Sequence, residues 1–425
     1  MARSYIEDVF KKKGEVEVYG WVHDVRDLSK IRFIVVKDTS GRIQVTGVKG
    51  KTKGDVFELM KGISRESVVS IKGKLKDSNQ APGGKEILPN KIEIIAKSEH
   101  PLPIDVSDHS KTELPKRLDY RFLDLHRERI LAIFKIQSTI SVSFKEYFVE
   151  KGFIDFQPPS IISSASEGGT ELFPAKYFEK KAFLAQSPQL YKQMAACSPM
   201  EKVVTITPVW RAEKHNTTRH LNECRQMDIE MAFADQKIVM KQLEEVVKYI
   251  VEQVIKKNKK ELDLLGKKLK VPRVKYISYD ETVKLLKVKH GEDLSPSDER
   301  KLNEMFPDTI VLVHSWPSAI KPFYIMTKDE KPNAKLSEGF DAIYGGIEIT
   351  SGGQRIHIPE LLEKRLKVKG LNPKDFKHYI DSFRHGAPPH GGWSIGLERF
   401  TQALLNLDNI REACMFPRDR DRLTP

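Results

Sequence analysis

Residues 209–233 read VWRAEKHNTTRHLNECRQMDIEMAF. A strand enters a polar loop, and a second strand leaves it through MDIEMAF. The segment supplies Arg211, Glu213, Arg219, His220, Glu223, Asp228 and Glu230. Outward from it lie further strand-like runs at 203–206, 310–313 and 347–350. Residues 130–148 carry Ile133, Ile136, Ile140, Phe144 and Phe148 at three- and four-residue steps, which predicts a long amphipathic helix. Residues 241–260 predict another, with Leu243, Val246, Val247, Ile250, Val251 and Val254 on its buried face. Strands and helices do not alternate strictly, so the expected class is α+β with an antiparallel sheet.

A second arginine-centred segment, 388–400 (PPHGGWSIGLERF), is a glycine-rich turn leading into a helix that presents Arg399. The chain has neither GxxxxGK[ST] nor GxGxxG, which excludes a P-loop and a dinucleotide fingerprint. Arginines bind phosphates without either, through rigid paired donors. An isolated Arg-x-Glu, however, is more often a structural ion pair.

The first hundred residues read differently. Short β-branched runs at 15–22, 31–37, 42–46, 68–72 and 92–95 are punctuated by Gly14, Gly41, Gly73 and Pro82-Gly83-Gly84. Between the third and fourth, Val56, Leu59, Met60 and Ile63 have helical spacing. Five strands with a helix at that place predict an OB-fold barrel, an oligonucleotide binder. Residues 100–116 (HPLPIDVSDHSKTELPK) hold three prolines and no period, a linker. The expected division is therefore 1–99, a linker 100–116, and a catalytic unit 117–425.

The chain has 425 residues, 39% hydrophobic and 31% charged, with net charge +13, which excludes a disordered polyelectrolyte. No apolar run approaches the ~18 residues of a membrane span. The first ten residues lack the apolar core of a secretion signal, so a cytoplasmic location is expected. Cys197, Cys224 and Cys414 are too far apart for a disulfide scaffold or a CxxC zinc site. Residues 1–97 hold 20 Lys+Arg against 13 Asp+Glu, so +7 of the +13 sits in under a quarter of the chain. Charge alone fits a solvated surface and a polyanion site equally well.

The motifs separate these readings. WRAE at 210–213, HNTTRHLNE followed by MDIE, and GLER with Arg399 resemble motifs 2 and 3 of the class II aminoacyl-tRNA synthetases. GFIDFQPP at 152–159 resembles motif 1, with Pro159 at its proline position. SEGGTELF (166–173), AQSPQLYKQ (185–193), GIEITSGGQRIH (346–357) and FPRDRDRLTP (416–425) are similar to the archaeal/eukaryotic aspartyl branch.

The resemblance implies a class II catalytic domain behind the OB barrel, using ATP and Mg²⁺ to attach L-aspartate to tRNA through an adenylate. It puts Arg211 on the α-phosphate and the attacking carboxylate, Arg399 on the γ-phosphate, and Glu213 on the adenine amino group. Arg219, His220 and Gly396 join the nucleotide site, and Glu348 and Ser351 hold Mg²⁺ with Asp341 as an outer ligand. Lys192 and Arg355 would meet the substrate's side-chain carboxylate, with Ser351 close by, and Glu167, Gln189 and Asp228 its ammonium. Lys192 disfavours the asparaginyl enzymes, which generally lack it. Two departures stand out: Ser394 replaces the first glycine of motif 3, and Cys224 replaces an aromatic that stacks on adenine in many relatives, leaving His220 as another candidate face.

In the barrel, Arg26, Phe33 and Gln44 match anticodon-reading positions, and Glu86 a contact to the first anticodon base. Phe33 competes with a core reading, since Ile34 and Val36 flank it. Archaeal enzymes restricted to tRNA(Asp) tend to carry tryptophan at the His23 position and lysine at the Pro82 position. The pattern here matches relaxed relatives that charge both tRNA(Asp) and tRNA(Asn), an amidotransferase acting downstream. The alternatives are a strictly tRNA(Asp)-specific enzyme and an asparaginyl one. The resemblance also implies a homodimer through motif 1, and it leaves 261–300 as an insertion of unread role.

Overall fold

The computed structural model describes residues 3–107, 109–163 and 172–425. They form two compact units that divide between Pro103 and Ile104.

The first unit is a closed barrel of β1 (Glu15–Asp27), β2 (Ile31–Lys37), β3 (Arg42–Val48), β4 (Val68–Asp77) and β5 (Lys85–Ala96), in the order β1-β2-β3-β5-β4. Helix α1 (Gly54–Gly62) lies between β3 and β4, as the spacing predicts. Alternation drives closure: Val16, Val18, Ile34, Val36, Ile43, Val45, Val69, Ile71 and Ile87 point inward and are buried, with Val56 and Met60 of α1 among them. Phe33 therefore falls on the outer face.

The second unit is built on eight strands: β6 (Ile154–Asp155), β7 (Lys202–Trp210), β8 (Glu223–Ala232), β9 (Arg273–Ser278), β10 (Thr309–His314), β11 (Gly339–Tyr344), β12 (Ile347–Gln354) and β13 (His390–Gly396). Their order is β9-β10-β11-β12-β13-β8-β7-β6. The six central strands pair antiparallel, as expected, but β9 and β6 add parallel edges. Strand β9 comes from the 261–300 stretch, so that stretch contributes to the sheet itself.

Helices α2 (Glu128–Glu150) and α4 (Gln236–Lys257) cover one face of the sheet. Helix α4 ends at Lys257 rather than 260, and a separate short helix starts at Lys259. Ile133, Ile140, Phe144 and Phe148 of α2 and Val239, Leu243, Val247 and Ile250 of α4 meet Met227, Ile229, Phe340, Trp393 and Ile395 of the sheet. Trp393 anchors the layer: its indole N–H donates to the Val239 carbonyl at 3.0 Å, and Phe144 and Phe148 pack on its ring. The opposite face of β8 and β13, with Gln226, Asp228, Glu230 and Ser394, is left for chemistry. Among the described residues no helix is long and apolar enough to cross a membrane.

Phe148 is fully buried and touches the rings of Phe144, Tyr147, Phe153 and Trp393. Phe148→Ala should cost about 3–5 kcal/mol of unfolding free energy, read from the urea transition of the full chain. A loss below about 1 kcal/mol would mean that the helix layer closes the gap, against this packing.

Candidate active site

On the uncovered face, a cavity of about 290 Å³ is lined by Gln189, Arg211, Glu213, Arg219, His220, Cys224, Asp228, Tyr324, Glu348, Ser351, Arg355, Ser394, Gly396 and Arg399 among others. Strand alternation brings them there. Asp228 pairs in register with Ser394 across β8 and β13, and Ser394 with Ser351 across β13 and β12.

The floor is a buried ionic layer. Lys192, on helix α3 (Gln189–Ala196), is fully buried and does not line the cavity; it lies one layer below. Its ammonium donates to Asp228 Oδ1 at 2.8 Å and the Trp393 carbonyl at 3.1 Å, with Glu230 Oε2 at 3.5 Å. Arg355 donates Nε–H to Glu230 Oε1 at 2.9 Å, and Nη2–H to Glu230 Oε2 at 3.3 Å and the Gly392 carbonyl at 2.8 Å. Burial alone would raise the Glu230 carboxyl, but Arg355 and Lys192 outweigh it and hold it below its ordinary value. Burial pushes the Asp228 carboxyl up against the pull of Lys192. Gly392 is required here, because a Cβ on it would run into the Glu230 carboxylate and the Ile229 carbonyl.

Beneath this layer, Gln193 Oε1 accepts from Tyr379 Oη at 2.9 Å and from Gln189 Nε2 at 2.8 Å, and its amide nitrogen meets His390 Nε2 at 2.9 Å. His390 Nδ1 lies 2.9 Å from the Pro388 carbonyl. With Nδ1–H donating to that carbonyl and Nε2 accepting from Gln193, the ring is neutral. Gln189 is thereby tied into the support network while it lines the cavity. Ser394 lies in regular strand, where serine is unstrained, and its hydroxyl donates to Asp228 Oδ2 at 3.1 Å.

The other end is built from the 211–223 loop and the helix α6 (Leu397–Leu405). Arg399 Nη1 donates to the Glu348 carbonyl at 3.2 Å. Arg211 and His220 approach Glu213 to 3.8 and 3.9 Å. Cys224 lines this end, and burial pushes its thiol up to about 12, so it is an un-ionised apolar group there. His220 is held below its ordinary value by burial, and its Nδ1 lies 2.6 Å from Thr217 Oγ1. The tail braces the loop: the Arg418 carbonyl accepts from Asn222 N at 2.8 Å, and Arg420 donates to the Lys214 carbonyl at 3.0 Å.

Glu348 and Ser351 line the cavity, and Asp341 lies buried beside Glu348, paired with Lys321. Burial, reinforced by Asp341, pushes the Glu348 carboxyl up to about 8 against Arg399 and Lys321. Asp341 Oδ1 is buried with no hydrogen-bond partner. Hard oxygen donors with unmet negative charge suit Mg²⁺. Among the described residues no three His, Cys, Asp or Glu side chains form a metal site by themselves. Glu167 lies outside the described residues.

Sequence reading missed Glu299, whose carboxylate accepts from Arg219 at 2.8 Å, and Tyr324, whose ring stacks against Arg355. Nothing in SPSDERKL distinguishes Glu299 from a solvated helix charge; the PFY aromatic pair around Tyr324 was a usable signal.

On the barrel, Arg26 pairs in register with Phe33, Phe33 with Thr46, and Gln44 with Glu86, so the four expected anticodon residues share the outer face. Glu86 Oε2 accepts from Thr46 Oγ1 at 2.6 Å and Gln44 Nε2 at 3.2 Å. His23 is the extra residue of a β-bulge in β1, where the register steps from Val22 to Asp24. Pro82 is exposed in the turn before β5.

An antiparallel sheet with an arginine-flanked cavity, and a separate OB barrel, define a class of tRNA-charging enzyme. The model of tRNA synthetases class II (D, K and N) matches residues 113–420, and that of the OB-fold nucleic acid binding domain matches 16–95. The chain belongs to this class II synthetase family and is a ligase. Its relatives include the aspartate–tRNA(Asp/Asn) ligase of Methanothermobacter thermautotrophicus, 44% identical over 97% of this chain and 95% of that protein. The aspartate–tRNA(Asp) ligase of Thermococcus kodakarensis is 45% identical over 97% and 96%. Among solved structures, asparaginyl-tRNA synthetase from Pyrococcus horikoshii with asparaginyl-adenylate has a TM-score of 0.95 at 34% identity, covering 100% of both chains. Aspartyl tRNA synthetase from Entamoeba histolytica has a TM-score of 0.89 at 31% identity, over 100% of this chain and 93% of that one.

Burial holds His390 down at about 4, from an ordinary 6.5, so the unfolded chain binds the proton more readily. Its stabilising contribution is full above pH 6.5 and is lost as the pH falls from there toward 4. That is about 3 kcal/mol. His390→Gln should flatten the pH dependence of unfolding free energy over this window by up to one proton; an unchanged slope would rule out a buried neutral imidazole.

Proposed function

We propose that this protein attaches L-aspartate to tRNA through aspartyl-adenylate, and that it accepts both tRNA(Asp) and tRNA(Asn). The observation that carries the reading is one cavity with Arg211, Arg399 and Glu348 at one end and Gln189, Asp228 and Arg355 at the other.

In the first step an α-carboxylate oxygen of aspartate attacks the α-phosphorus of ATP, and pyrophosphate leaves. The carboxylate is already ionised, so no protein base is needed. Arg211 meets the α-phosphate and the attacking carboxylate, and Arg399 meets the γ-phosphate, stabilising charge that grows on the phosphoryl oxygens. Glu213 accepts from the adenine amino group, with Arg219, His220 and Gly396 around the nucleotide. Mg²⁺, held by Glu348 and Ser351 with Asp341 behind, would neutralise phosphate charge. In the second step a terminal ribose hydroxyl of tRNA attacks the activated carbonyl, and AMP leaves.

Aspartate is selected at the floor. Its side-chain carboxylate faces Arg355, with Lys192 supplying positive charge from the layer below; Asp228, Gln189 and Glu167 receive the ammonium. These charges are fixed before substrate enters, so little reorganisation is required. Asparagine would turn N–H donors toward donors, which polar sites reject strongly. This favours aspartyl over asparaginyl specificity, although the asparaginyl enzyme shares the fold.

Phe33 stacks an anticodon base, a contribution of about 1–3 kcal/mol, with Arg26, Gln44 and Glu86 beside it. Relatives named for one tRNA and for two are equally similar, so His23 and Pro82 carry the two-tRNA reading. An amidotransferase would then convert aspartate on tRNA(Asn). A cytoplasmic homodimer, meeting through the segment that ends at Pro159, completes the proposal.

Pyrophosphate exchange should depend on aspartate and not asparagine, and Arg399→Ala should lower its kcat/KM by about 100-fold or more. Both tRNA transcripts should be aspartylated. A kcat/KM for tRNA(Asn) more than about 100-fold below that for tRNA(Asp) would restrict the enzyme to the latter.

A further inference from the structure

The 261–300 stretch contacts two cavity-lining residues, Arg219 and Glu348, through Glu299. Helix α5 (Pro296–Met305) starts at Ser295, whose hydroxyl and the Asp298 carboxylate cap each other's backbone. Glu299 follows in the first turn, where free helix amides favour a carboxylate. A single oxygen of Glu299, Oε2, accepts from Arg219 Nη1 at 2.8 Å and from the Glu348 backbone N–H at 3.1 Å. Both side chains are largely enclosed, Glu299 at 11% and Arg219 at 17% exposure.

The parts on either side of this link are already fixed. Ile410 N–H and Arg411 Nη1 donate to the Thr218 and Thr217 carbonyls, both at 2.9 Å, so the loop carrying Arg219 is pinned from behind. The turn before Glu348 passes through Gly345 and Gly346 at φ of +59° and +73°. A Cβ on Gly345 would come within 2.7 Å of the Ala403 carbonyl, and one on Gly346 within 3.3 Å of Arg300 Cγ. The turn is thus clamped between α6 and α5. Arg219 Nη2 donates to the Gly346 carbonyl at 3.0 Å, and Arg399 holds the Glu348 carbonyl from the other side. With the loop and the preceding turn set, the Arg219 guanidinium is directed by Glu299 and the Gly346 carbonyl, and the Glu348 amide by Glu299 alone among the contacts described.

We propose that Glu299 is a positioning residue for the nucleotide: it aims Arg219 and fixes the backbone of Glu348, so that both are in place before ATP arrives. This rests on the proposed function to the extent that Arg219 and Glu348 meet ATP. Glu299 itself touches no substrate and acts through its two partners. A plain structural ion pair would stabilise the fold without distinguishing ATP from the amino acid.

The test is a double-mutant cycle in the full-length enzyme, followed by pyrophosphate exchange with KM measured separately for ATP and aspartate. Glu299→Ala should raise the KM for ATP at least about tenfold and change that for aspartate less than about twofold. Glu299→Gln keeps an acceptor for the Glu348 amide and should fall between. In an Arg219→Met background, Glu299→Ala should cost less than about threefold more, because its main partner is gone. Equal penalties in both backgrounds, or parallel rises in both KM values, would overturn the proposal. Thermal unfolding identifies a variant that fails to fold, and the Gln cycle then carries the test alone. Equilibrium dialysis of ATP without amino acid separates the two readings. No aspartate-dependent exchange by the wild type, with ATP binding still weakened in Glu299→Ala, sinks aspartate specificity and leaves the role of Glu299 intact. Unweakened ATP binding in that variant sinks the role itself.

Discussion

Four buried charges organise the catalytic unit. Lys192, Asp228, Glu230 and Arg355 lie together, two cations against two anions. Each would be costly to bury singly, and removing one leaves an uncompensated charge. Much of the surrounding structure serves this constraint. Gly392 gives up its side chain to make room for Glu230, the carbonyls of Trp393 and Gly392 accept the remaining donors, and α3 is oriented to deliver Lys192 from below. The polar chain from Gln189 through Gln193 to His390 extends the same logic outward, each buried donor finding an acceptor.

The two ends of the cavity use electrostatics differently. The floor balances its charges internally, so what it offers a ligand is fixed geometry more than surplus potential. The nucleotide end is more open, and its charges are uneven: Arg211 and Arg399 point at the cavity, while burial and the neighbouring Asp341 push the Glu348 carboxyl up to about 8, so that it keeps a proton which a bound cation would displace. Selectivity belongs to the first arrangement and phosphoryl chemistry to the second. Both are carried on neighbouring strands of one sheet, so they share a rigid frame.

How much of this could be read in advance depended on whether a signal was local. The barrel was legible because alternation and the helix between the third and fourth strands are local patterns; which way Phe33 faces stayed open in the sequence, and the observed strand burial puts it outward. The long helices were legible from period, but the break at Asn258 was not, since lysines continue across it. The parallel edge strand β9 was missed because its partner lies over thirty residues away, and pairing of that kind leaves no periodic trace. Motif residues around Arg211, Glu348 and Arg399 were found through resemblance, which carries position but not depth. Lys192 was read through the motif as meeting the substrate, and its full burial beneath the cavity lining was not readable from the motif. Glu299 was invisible because its meaning comes entirely from a tertiary contact with Arg219.

Strand β8 carries both the apolar underside of the sheet and its reactive side. Met227, Ile229 and Met231 face the helices, while Gln226, Asp228 and Glu230 alternate with them toward the cavity. Gaining or losing one residue within this strand would exchange the two sets, sinking carboxylates into hydrocarbon and turning methionines toward solvent. Evolution can therefore revise this strand only letter by letter. A substitution on the cavity face, by contrast, leaves the hydrophobic layer untouched.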